Sequence, residues 1–107
     1  MPIHSNTAQG RWQELSFAEQ MGNIGSEVSR AASADKRGDV ERRNKSIERA
    51  LELVDLTLQN QASLLRRREL ALFRGTIEAA REGSADAGLA AAVHYCLPFG
   101  VLARKHV

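Results

Sequence analysis

Arg67, Arg74 and Arg81 recur at intervals of seven, with Arg66 and Arg68 beside the first. On a helix this spacing sets the three along one side, a row able to follow the phosphates of a nucleic acid. Arg42, Lys45 and Arg49 make a second row at i, i+3 and i+7. Glu41, Glu48, Glu52, Glu69 and Glu78 are interleaved with both rows, so the favoured expectation is a solvated face held by i,i+4 pairs. Nucleic-acid contact is the alternative, with only one Trp and one Tyr in the chain for base stacking. Glu48, Glu52 and Asp55 share a helix face at i, i+4 and i+7, which raises the question of a carboxylate-bound metal. Carboxylate metal sites in helical bundles add a His three residues after a Glu on two helices, and no His follows any Glu at that distance here. The three read as surface carboxylates, and no metal or cofactor is expected.

His94, Tyr95 and Cys96 are consecutive, so on a helix they point to different sides and make no Cys–His nucleophile by themselves. His94 reads as a polar residue at the core edge and Cys96 as a small buried apolar residue. His4 and His106 fall near the two ends. No catalytic residue is expected.

The elements that would position these groups begin with Ser16–Ala32. Phe17, Met21, Ile24, Val28 and Ala31 form a stripe of apolar residues at 3.6-residue spacing, and Ala18, Gly22, Gly25, Ser29 and Ala32 form a second stripe almost without bulk. Two glycines inside one helix cost stability unless another backbone packs closely on them. Gly22 and Gly25 are therefore expected at a helix–helix contact. Ser16 and Glu19 have the spacing of a capping box, which starts this helix near Phe17. Asp35–Asp39 supplies a polar turn containing Gly38, and Asp39 can cap a second helix over Val40–Gln59. That helix carries a core stripe of Ile47, Ala50, Leu51, Val54 and Leu58, widened by Leu53 and Leu56. A short connection, Gln59–Ser63, leads to a third helix over Leu64–Arg81 with Leu70, Phe73, Ile77 and Ala80 as its stripe and Leu65 and Leu72 flanking it. The last helix starts near Asp86, continues through Leu89, Ala92, Val93 and Cys96, and is expected to break or kink at Pro98.

At 107 residues the chain is sized for one domain. Residues 1–10 lack periodicity and read as a flexible tail, leaving 11–107 as the helical domain. A net charge of +2 neither favours nor excludes nucleic acid. One cysteine precludes an internal disulfide and fits a reducing compartment. The first residues have no apolar signal core, which makes the cytoplasm the expected location. The longest uncharged run, Leu89–Ala103, is too short to span a membrane, and no membrane partner is expected.

Trp12–Ser16, Asn23–Val28 and Glu48–Thr57 together resemble a group of small all-helical bacterial and archaeal proteins to which no activity is attached. The likeness covers Trp12 to Phe73 and implies an all-helical fold. In architecture alone the pattern is similar to HEPN-type four-helix bundles and the ribosomal intervening-sequence bundle proteins. The HEPN nuclease signature sets an Arg a few residues before a His. Arg104 and His106 are closer than that and Arg81 and His94 farther apart, so no catalytic residue transfers.

The expectation is an all-α, four-helix up-and-down bundle, non-enzymatic, acting as a protein-interaction module and self-associating as a dimer. Its interface is assigned to Leu53, Leu56, Leu97, Phe99, Val101 and Leu102, because apolar residues off the main stripes need cover. Two alternatives stand beside it. One is a nucleic-acid-binding accessory protein using Arg42, Lys45, Arg49, Arg67, Arg74 and Arg81; the other is a degenerate HEPN-like ribonuclease or antitoxin.

Overall fold

Capping chemistry sets the first boundary. Ser16 Oγ accepts a hydrogen bond from the Glu19 N–H at 3.1 Å while Glu19 Oε1 accepts from the Ser16 N–H at 2.9 Å, completing the capping box. The bond from the Ser16 backbone, assisted by the Ser16 hydroxyl, holds the Glu19 carboxyl below the usual range. The structure, a computed structural model, describes residues 10–82 and 85–105, excepting the side chains of 82, 85–87 and 100–105. It is helical throughout, with no strand among the described residues. A short helical segment, α1, includes residues 10–14, and four long helices follow: α2 (Phe17–Lys36), α3 (Val40–Gln59), α4 (Leu64–Glu82) and α5 (Ala85–Lys105). The expected tail, residues 1–10, lies outside the described residues except for Gly10.

Helix α2 runs past Ala32 to Lys36 because Ala34 still faces the core, and it then reverses in three residues. Gly38 adopts φ +75°, its N–H donates to the Asp35 carbonyl at 3.0 Å, and the Asp39 N–H donates to the Ala34 carbonyl at 2.9 Å. This is a Schellman ending, for which a residue without Cβ is suited. Asp39 then caps α3, its Oδ1 accepting from the Arg42 N–H at 3.1 Å.

α2 packs against α3 and α5, and α4 packs against the same two. The buried residues come from the apolar stripes read from the sequence: Met21, Ile24, Val28 and Ala31 from α2; Ile47, Ala50, Leu51 and Val54 from α3; Leu70, Phe73, Ile77 and Ala80 from α4; Leu89, Ala92 and Cys96 from α5; Phe17, Leu58 and Val93, read into the same stripes, are half-buried against them. The radius of gyration is 13.6 Å, close to the roughly 13 Å of a compact chain of this length.

Two features tie the periphery to this core. Trp12 of α1 is buried and donates from Nε1 to Thr57 Oγ1 at 2.8 Å; Thr57 Oγ1 in turn donates to the Leu53 carbonyl. Gln20 Nε2 donates to the Trp12 carbonyl, and Gln13 Nε2 to that of Leu56, so α1 is fastened to both α2 and α3. On the other side, α2 and α5 approach so closely that a Cβ on Gly25 would lie 2.7 Å from the Cβ of Cys96. The small-residue stripe thus serves the contact expected of it at Gly25.

α5 remains helical through Pro98 to Lys105. Of the break or kink expected there, the break does not occur. Pro98 and His94, whose carbonyl loses its helical donor, both lie on the exposed side, where water can satisfy the unpaired group. No described helix is long and apolar enough to cross a membrane.

Candidate functional site

Helix α3 is basic on one flank and acidic on the other, and its neighbours decide what each flank does. On the side toward α4, Asp55 Oδ1 receives a hydrogen bond from Arg74 Nε at 2.8 Å, and Arg74 Nη1 reaches Glu78 Oε2 at 2.6 Å. The Asp55 bond raises the Arg74 pKa above its ordinary value. Glu48 and Glu52 share this flank by helical spacing and are exposed. The row on α4 is accordingly not a bare cationic track. Arg67 is exposed, but its Nη1 donates to the Leu58 carbonyl at 2.7 Å and to that of Gln61 at 3.3 Å, closing the C-terminus of α3. Its partners are carbonyl groups where carboxylates were expected, because the short connection brings the open end of α3 under the first turn of α4. Arg74 is engaged as above, and Arg81 is half-buried.

On the side toward α2 the arrangement differs. Arg42, Lys45 and Arg49 line a groove of about 500 Å³ together with Arg30 of α2 and Arg37 at its C-cap, and with Ser29, Ser33, Ala34 and Ser46. Five cations and no carboxylate line it. Three of the cations have ion pairs at its margin: Arg30 with Glu27 at 2.6 Å, Arg42 with Asp39 at 3.5 Å and Lys45 with Glu41 at 3.3 Å. Among the described residues, no ion pair involves Arg37 or Arg49, both exposed. Arg43 belongs to a different environment, paired with Asp35 at 3.0 Å in a largely buried contact. The sequence reading assigned the α3 half of this groove and missed Arg30 and Arg37. Their spacing of seven was available as a signal, but it gains meaning only once the three-residue reversal at Gly38 lays α2 beside α3.

The apolar candidates divide. Leu53 and Leu56 are half-buried and pack on the core within the chain. Phe99 does the same, its ring 5.5 Å edge-on from Phe17 and 5.7 Å from Tyr95. Leu97 is exposed, at 56%. The side chains of Val101 and Leu102 lie outside the described residues. Among the described residues, the most exposed large apolar side chains are on α4 instead: Leu64, Leu65 and Leu72, exposed at 78%, 69% and 76%. Leu65 and Leu72 were read as flanking the α4 stripe, but the neighbouring helices do not reach that flank.

No family model, curated protein or solved structure matches this chain. The side chains themselves must then speak for its chemistry. His94 is exposed, where a core-edge position was expected, since Val93 and Cys96 take the inward positions. The Tyr95 hydroxyl lies 3.5 Å from Glu69 Oε2, and burial, followed by the Glu69 charge, raises its pKa. Burial pushes the Cys96 thiol up to about 12, which leaves it protonated and unreactive at neutral pH. Among the described residues no three His, Cys, Asp or Glu side chains converge to hold a metal ion.

Proposed function

We propose that the chain is a four-helix, up-and-down bundle, kinked near Pro98, that works without catalysis by binding protein, with a second copy of itself as its first partner. The observation that carries this reading is the group of leucines exposed on α4. Leu65 and Leu72 lie two turns apart on one side of the helix, and covering such a side chain fully contributes about 1.5–3 kcal/mol. Leucines set this way along one helix suit an α4-to-α4 pairing about a two-fold axis, in which each copy offers the same patch. Leu97 on α5 is a separate exposed position and marks where a different partner could seat. A cytoplasmic setting belongs to the same reading, supported by the lone, unreactive thiol.

Light scattering tests it. A mass above the 11.8 kDa of one chain, falling to that value on Leu65→Glu with Leu72→Glu, is the expected result. A mass of 11.8 kDa at every concentration removes self-association from the reading. A change on Leu97→Glu alone moves the contact to α5. The second reading, a nucleic-acid-binding accessory role, is favoured by the basic groove between α2 and α3. For the remaining alternative, a HEPN-like ribonuclease or antitoxin, an RNA-cleavage assay is the test.

A further inference from the structure

We infer that the groove between α2 and α3 is a binding site for an oligophosphate, an anion presenting two or more phosphate groups at once, and that Arg37 and Arg49 are the residues that engage it. This goes beyond the protein-binding reading and does not depend on it.

The argument starts from charge placement. Arg30 and the C-cap residue Arg37 are two turns apart at the end of α2, as are Arg42 and Arg49 on α3, so each wall carries cations about 10 Å apart. That separation is close to the screening length at ordinary ionic strength, about 8–10 Å, so the two cations of one wall act on a ligand together. Asp55 of α3 is held on the flank toward α4 by Arg74, and Glu41 lies at the groove's margin against Lys45. Glu27, Asp39 and Glu41 offset three cations from the margin, and none of them lines the groove. Like charges gathered by the fold repel one another and lower stability unless an anion sits among them.

The shape and lining define the ligand. At about 500 Å³ the groove exceeds what one phosphate fills. Arginine guanidinium groups meet phosphate oxygens in pairs, and Ser29 and Ser33 of the α2 wall add hydroxyl donors to the lining. No aromatic side chain lines it, so nothing there stacks a base. Recognition is confined to the phosphates. Adjacent phosphodiesters of an RNA strand and the anhydride-linked phosphates of a free polyphosphate present the same chemistry.

Two probes separate those sources: inorganic tripolyphosphate and a labelled oligouridine RNA, each titrated against the full chain by calorimetry or anisotropy at about 50 mM NaCl, where phosphate contacts are little screened. Saturable binding is expected, weakening steeply with added salt. Arg37→Glu and Arg49→Glu should each weaken it about tenfold or more, Arg49→Lys far less, and Arg67→Glu not at all. Both reversals are at exposed positions and relieve like-charge repulsion, so the free variants melt at or above the parent temperature, which checks their folding. Tripolyphosphate should also raise the melting temperature of the parent and not of Arg37→Glu, since a ligand held only by the folded state stabilises it. RNA binding that tripolyphosphate cannot displace, but that both reversals abolish, assigns the groove to a strand; full displacement assigns it to phosphate wherever it is carried. Absence of saturable binding by either probe overturns the inference. So does an Arg67→Glu loss equal to that of Arg49→Glu, which would mean diffuse surface charge.

Discussion

Replacing Gly25 with alanine adds one methyl group, and the surroundings fix the sign of its effect. At an open helical position the change gains up to about 1 kcal/mol, because alanine restricts the unfolded chain and favours helix. Gly25 is not open. The new Cβ would meet the Cys96 Cβ at 2.7 Å and the Cys96 Sγ at 3.5 Å, and the nearer of these is anchored directly to the α5 backbone. It cannot swing aside as a side-chain tip could, so the two helices must separate. Overpacking of this kind costs about 1–3 kcal/mol, which offsets the helical gain and leaves a net loss of up to about 2 kcal/mol. For a domain of this size each kcal/mol moves the melting temperature by about 4–8 °C. Gly75 supplies the control: it lies within α4 with nothing inside 4 Å of its added Cβ, so Gly75→Ala should raise the melting temperature. Thermal unfolding followed by circular dichroism gives both values. In a Cys96→Gly background the penalty at Gly25 should vanish, a coupling of about 1–3 kcal/mol in a double-mutant cycle. If Gly25→Ala stabilises the chain as Gly75→Ala does, the close approach of α2 and α5 is wrong.

Three further outcomes follow from the geometry. Thr57→Val keeps the side-chain shape but strips the buried Trp12 Nε1–H of its acceptor, and should cost about 1–3 kcal/mol in urea unfolding, with the single tryptophan emission shifting red as α1 loosens. Arg43→Ala should cost more than Arg74→Ala: the Arg43–Asp35 side chains are exposed at only 14% and 17%, against 34% and 51% for Arg74–Asp55, so the latter loss should stay below about 1 kcal/mol and shrink with salt. With its thiol pushed up to about 12 and buried against Gly25, Cys96 should react with a disulfide reagent only as fast as the chain opens. Immediate modification in native buffer would contradict its placement.

Much of the architecture was written in short-range patterns. The Ser16–Glu19 box, the Asp39 cap and the glycine at the reversal mark boundaries through bonds spanning three to five residues, so they can be read without knowing the fold. Periodicity likewise located the buried face of each long helix, because the apolar stripe and the core face are set by the same 3.6-residue turn. What it could not supply was how far the neighbours extend around each helix. Leu65 and Leu72 border their stripe just as Leu53 and Leu56 border theirs, yet the first pair is bare and the second covered. The basic rows show the same limit. Arg74 and Arg49 look alike in sequence, and only the partner helix distinguishes them: Asp55 pairs with one, and the other lines a groove with Arg30 and Arg37. Pairings between elements decide what a charge does, and these are long-range facts.

The Gly25–Cys96 contact also bears on how fast the chain folds and unfolds. It joins the first and last of the long helices, so closing it orders most of the chain as one loop, at a higher entropic cost than closing the turn at Gly38. Neighbouring pairs, α2 with α3 and α4 with α5, can meet through short connections first. A seam that forms after the rate-limiting step contributes little to the folding rate and almost all of its stabilisation to the barrier against unfolding. The missing side chain at Gly25 would then act chiefly as a latch, setting the lifetime of the native state.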